Sequence, residues 1–223
     1  MNGTHDTDQA GIVDDDGDLD PRQAAALIEQ TAINARREFD SSSPIAAVVG
    51  AGVFLFGYGA VWWSLHDQHV YAGAAGWAIA VLYGLIAVSA IVGRQVFHRA
   101  TAGIGGRARR QMQAQAAAVA AAGIAAWTVQ GALRYLGVSA EIVYGVYGPT
   151  VPLIALAAAT TGFAASRGRW PELVLAIVIM LVAAGSTFFG PKGAWGLTGL
   201  GCAIALLVYA AVLTVWLRRP VRA

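Results

Sequence analysis

Gln130, Arg134 and Glu141 are the polar residues of this chain best placed to do chemistry in an apolar surround. Gln130 and Arg134 are four residues apart, which puts them on one helix face. Glu141 follows a short turn and could return a carboxylate toward the guanidinium. Such a trio could form a polar outer vestibule that holds an anionic group. The same residues also read as an arginine that snorkels to the membrane surface and pairs with one carboxylate, because a charge left alone in hydrocarbon is costly.

Three other groups have suggestive chemistry. His66, Asp67 and His69 crowd one short polar break, and imidazole with carboxylate suits zinc or copper. A four-coordinate site needs more ligands, and Gln68 is a poor one, so these read as solvated loop residues. The segment TAGIGGRARR (101–110) mixes glycine with arginine and could catch a phosphate headgroup. It lacks the strand–loop–helix setting of a nucleotide loop and reads as a flexible connector. Pro149 and Pro152 in VYGPTVP should bend a helix and free carbonyls. HExxH, GxSxG and paired intramembrane aspartates are all missing. The only acids beyond Asp40 are Asp67, Glu141 and Glu172, near the ends of apolar runs. The chain is read as a non-enzyme with no metal and no cofactor.

The elements that must position these residues are apolar. The chain is 57% hydrophobic and only 13% charged; an average soluble domain has about 25% charge. Six runs stand out: Pro44–Leu65, Ala72–Gly93, Ala114–Leu136, Ile142–Ser166, Leu173–Gly190 and Ala194–Leu217. Each is long enough to cross a hydrocarbon core that needs about 20 residues of helix, the fifth only just. The predicted fold is all-α, a polytopic six-span transmembrane bundle over 44–217, with the bilayer as its first partner. Trp62, Trp63, Tyr71, Trp77, Tyr135, Tyr144, Tyr147 and Trp195 fall at one set of span ends, and Trp170 and Trp216 at the other, as interfacial aromatics do. Of the glycines repeating every three residues, Gly190 and Gly193 read as turn residues, and Gly196 and Gly199 as packing positions.

Charge is partitioned. Residues 1–20 hold seven aspartates and no Lys or Arg, while the remainder carries all 15 basic residues against six acids. Arg94, Arg99, Arg107, Arg109 and Arg110 share one loop, Arg167 and Arg169 another, and Arg218, Arg219 and Arg222 the end; with six spans all lie on one side, with Arg36 and Arg37. By the positive-inside rule both termini are cytoplasmic, in the cell membrane. This distribution sets topology, so nucleic acid is not read as a direct partner. Residues 1–19 form an acidic tail expected to be disordered, and 218–223 a basic tail. Between Asp20, a suitable N-cap, and the break at Pro44, residues 20–40 predict a short cytoplasmic amphipathic helix started by Pro21. Leu27, Ile28, Arg36, Arg37 and Phe39 are its candidate contact residues. It could lie on the bilayer, dock under the bundle or bind a soluble protein.

The run Asp20-Pro-Arg-Gln-Ala-Ala-Ala-Leu-Ile-Glu-Gln30, the six spans and Trp216-Leu-Arg-Arg219 resemble an uncharacterised group of actinobacterial six-span membrane proteins. Members are often encoded near small winged-helix transcriptional regulators. The resemblance therefore implies a sensory or regulatory association, with a cytoplasmic protein such as a winged-helix regulator as partner. It supplies no activity or binding residues to carry over. The expected function is a non-enzymatic membrane protein of interaction, sensory or regulatory role, using residues 20–40 as its contact. A transporter or permease-like subunit moving a small molecule is the alternative, and self-association into a homo-oligomer stays open.

Overall fold

Long apolar segments without internal breakers satisfy their backbone groups most cheaply as helices when the surroundings offer no water. The computed structural model, which describes residues 44–101 and 107–218, follows that rule. It consists of helices α1 (Pro44–His66), α2 (Gly76–Thr101), α3 (Arg107–Tyr135), α4 (Glu141–Ser166), α5 (Trp170–Ser186) and α6 (Gly190–Arg218). No strand occurs among the described residues. The expected acidic tail, the 20–40 helix with Leu27, Ile28, Arg36, Arg37 and Phe39, the glycines of the 101–110 connector and residues 219–223 lie outside them.

Among the described residues, five stretches are long and apolar enough to cross a membrane: Pro44–His66, Gly76–Gln95, Gln113–Tyr135, Glu141–Ser166 and Trp170–Val215. The chain is thus consistent with a multi-pass membrane protein. The last stretch covers 46 residues, roughly 69 Å as one helix, but it is not straight. A tight turn at Thr187–Phe189 ends α5, and Gly190 follows at φ +71°, a left-handed conformation that glycine adopts without a Cβ penalty. The chain then folds back, so that α5 and α6 pack side by side. Their buried hydroxyls meet at 2.6 Å between Ser186 Oγ and Thr198 Oγ1.

The second helix starts later than the apolar run from Ala72 predicts. Ser64 and Gln68 capture the intervening backbone. Gln68 Nε2 donates to the Ser64 and Gly73 carbonyls at 3.0 and 2.9 Å, Ala72 N donates to Gln68 Oε1 at 3.0 Å, and Ala75 N donates to Ser64 Oγ at 3.3 Å. Side chains that satisfy backbone groups in this way compete with helix formation. Residues 68–75 therefore form an ordered loop.

The centre of the bundle is α6, which packs on α1, α4 and α5. Glycines permit this, because small residues let helix backbones approach. A Cβ on Gly199 would stand 2.5 Å from Tyr58 Cβ and 3.1 Å from the Phe54 carbonyl, and one on Gly196 would stand 2.7 Å from the Trp62 ring. On the opposite face, a Cβ on Gly201 would meet Val182 of α5 at 2.5 Å. The core closes around Tyr58, Val61, Leu65, Ala78, Leu82 and Trp195. By contrast, α2 packs on α1 and α3 on α4, and no extended packing joins α2 to α3.

Two spans contain wide, π-helical turns, at Val53–Tyr58 in α1 and Glu141–Tyr147 at the start of α4. The second lies directly before Pro149 and Pro152. Their rings lack an N–H and clash with a carbonyl four residues back, and loosening the preceding turn relieves that conflict.

Candidate functional site

Because α2 and α3 stand apart, they leave a cavity of about 850 Å³ backed by α4. That is within the range of small-molecule sites. Its sides are aliphatic and aromatic: Leu82 and Ile86 from α2, Ile124 and Trp127 from α3, Leu153 and Leu156 from α4. The rings of Tyr83 and Trp127 meet edge to face across the gap at 6.3 Å between centroids. Tyr58 of α1 and Trp195 of α6 complete the inner wall, with their centroids 5.0 Å apart.

Three hydrogen bonds brace this wall. Tyr58 Oη donates to the Pro149 carbonyl at 3.2 Å, and Gln130 Nε2 donates to the Val143 carbonyl at 3.2 Å. Tyr147 Oη, at the end of the second π turn, donates to the Ala126 carbonyl at 3.0 Å. These bonds tie α1 and α3 to α4. Trp195 is only 7% exposed, and its indole N–H, itself without accessible surface, has no partner among the described residues. A buried donor left unpaired costs about 1–3 kcal/mol.

A second, smaller pocket of about 230 Å³ opens at the end of the bundle that carries the α1–α2, α3–α4 and α5–α6 connections, called here the upper end. It is bordered by His69, Glu141, Lys192 and the ring of Tyr71, and Tyr71 also lines the large cavity. Lys192 Nζ donates to the His66 carbonyl at 2.7 Å, which bridges α6 to the end of α1. Burial, and to a smaller degree the nearby Glu141 carboxylate and Tyr144, raise the Tyr71 phenol above its usual value, so it is a protonated donor. Gly145 makes room for this wall: a Cβ there would stand 2.7 Å from Pro191 and 3.1 Å from Tyr71.

The structure separates the trio expected from the sequence. Gln130 faces the large cavity, Glu141 borders the upper pocket, and Arg134 is exposed at the end of α3. Arg134 reaches the Val138 carbonyl at 3.5 Å, and no ion pair joins it to Glu141 among the described residues. The turn through Gly137, at φ +84°, carries Glu141 toward the α1–α2 loop and the start of α6. His66, Asp67 and His69 do not converge either: the His66 ring lies 4.9 Å from that of Trp62, while His69 borders the upper pocket. Trp195, expected to mark an interface, is instead a buried wall of the cavity. Its glycine neighbours Gly193 and Gly196 were the available signal, since close backbone approach on both sides of a Trp favours enclosing the ring. Comparison with protein-family models, with curated proteins and with solved structures gives no match to this chain.

Proposed function

We propose that this chain is a non-enzymatic membrane protein with a sensory or regulatory role. The bundle would hold an apolar ligand, and residues 20–40 would carry the response to a cytoplasmic protein. The observation supporting the reading is the cavity itself: a ligand-sized space walled by aliphatic and aromatic side chains. Such a wall suits holding a molecule. A transporter would be better served by a continuous polar path, so that alternative ranks second. The resemblance to six-span actinobacterial proteins encoded beside winged-helix regulators belongs to the same proposal.

In this reading the chain crosses the cell membrane six times, α5 and α6 crossing separately, with both termini cytoplasmic and the upper end outside. The fold-back at Gly190 and the loop arginines support it. Cysteine labelling in a Cys202→Ala background tests the topology: Gln68→Cys should react from outside intact cells, and Gly105→Cys only after lysis. The reverse pattern would refute it.

Function is tested by purifying the tagged full chain beside one lacking residues 1–40 and identifying what accompanies each by mass spectrometry. Both forms should insert normally, and a cytoplasmic partner should be lost with the truncation. If the truncated chain keeps every interaction and phenotype, the contact role of residues 20–40 is wrong.

A further inference from the structure

The two pockets share a wall, and their chemistries differ. Below Tyr71 the lining is aliphatic and aromatic; above it stand Lys192, Glu141 and His69.

Resting on the ligand-holding reading above, we infer that these two pockets, which share Tyr71, together form a site for a single-chain amphiphile with a zwitterionic headgroup. The acyl chain would lie in the cavity between α2, α3 and α4. The headgroup would occupy the upper pocket, its anionic part against Lys192 and the Tyr71 hydroxyl and its cationic part against Glu141. Three observations support this occupant. The first is that Tyr71 lines both the charged upper pocket and the apolar cavity. The second is the balanced charge of Lys192 and Glu141. The third is the gap between α2 and α3, where the edge-to-face contact of half-exposed Tyr83 and Trp127 leaves a side entrance from lipid. A second copy packed against this gap would bury the same apolar surface but would leave the upper charges without a role.

The test is equilibrium binding of palmitoyl lysophosphatidylethanolamine to the purified full chain in detergent, followed by native mass spectrometry, with palmitate and a bare C16 alcohol as comparison probes. The lysophospholipid should bind one per chain and more tightly than either. Lys192→Gln and Glu141→Gln, both at exposed positions, should remove most of the preference over palmitate while leaving binding of the C16 alcohol unchanged. Equal binding of all three probes, or an unchanged preference in both variants, would overturn the headgroup assignment. A chain that ignores every probe and forms a dimer cross-linked through Tyr83→Cys would identify the occupant as a second copy. Failure here is distinct from failure of the functional reading. A chain that binds the lysophospholipid but loses no partner on truncation fails only the latter; one that loses a partner but ignores the probe fails only this inference.

Discussion

The α1–α6 side and the α2–α3 side of this bundle are made from similarly apolar residues and end in opposite states. Over an apolar stretch of 18 residues in each, 28% of α1 is buried, against 11% of α2 and only 6% of α3. Hydropathy cannot account for the difference, because an apolar solvent does not push apolar helices together. What brings membrane helices into contact is shape and hydrogen bonding. On the closed side, Gly196 and Gly199 of α6 receive the large rings of Trp62 and Tyr58. On the open side, a Cβ on Gly123 or Gly131 of α3 would have nothing within 4 Å, and α3 packs on α4 and not extensively on α2. A small residue favours packing only when a large one faces it.

The strongest way to break this comparison is to fill the closed interface. Gly199→Leu must displace Tyr58 and meet the fixed Phe54 carbonyl, so it should destabilise by about 3 kcal/mol or prevent folding, read as lost monodispersity and a lower detergent Tm. Ala121→Leu, at an exposed position on α3, should change stability by less than about 0.5 kcal/mol. Equal effects would erase the distinction between the two sides.

A smaller effect sharpens it within the closed side. Ser186→Ala leaves the buried Thr198 hydroxyl without its partner and should cost about 1 kcal/mol. The cycle with Thr198→Val should give a coupling of about 0.6 kcal/mol, as interhelical bonds in membranes do. Zero coupling would mean that the α5–α6 contact rests on shape alone.

At the upper end, Tyr71 should titrate late. Its phenol is raised, so the folded state holds that proton more tightly than the unfolded chain. The resulting stabilisation is present below the usual phenol value near pH 10 and is lost as pH rises through the folded one. In alkaline spectrophotometric titration, Tyr71→Phe should remove a late-ionising phenol; removal of an early one would contradict the buried placement. The smallest expected effect is at Arg134 and Glu141. Because the structure separates them, Arg134→Gln and Glu141→Gln should act additively on Tm, within about 0.5 kcal/mol.

Helix identity was legible in the sequence because every apolar run is long and lacks an effective breaker, and all six expected segments correspond to helices. The start of α2 was not, since an alanine-rich stretch reads as helix until the hydrogen bonds of Ser64 and Gln68 are seen. Gln130 was grouped with Arg134 and Glu141 in an outer cluster but lines the large cavity, because spacing alone does not reveal the direction of the Gly137 turn. The cavity left no trace in the sequence. Its wall draws on α1, α2, α3, α4 and α6 together with the 71–74 loop, and no periodicity within one segment records a space between several. Trp195 read only as one of many interfacial aromatics.

The π turns give this fold an angular constraint. In an α-helix each residue advances the chain by about 100° around the axis, so the extra residue accommodated between Val53 and Tyr58 sets how the two halves of α1 are rotated about it. Deleting one residue there would restore ordinary helix and leave the hydropathy of the span almost unchanged. The upper half would nevertheless be turned by more than a quarter revolution, carrying Trp62 and Leu65 off α6. A comparison of sequences by apolar content would miss such a deletion. Single-residue gaps in α1 and at the start of α4 therefore carry rotational information, and their presence or absence is a sharper marker of a shared interior than the number of spans.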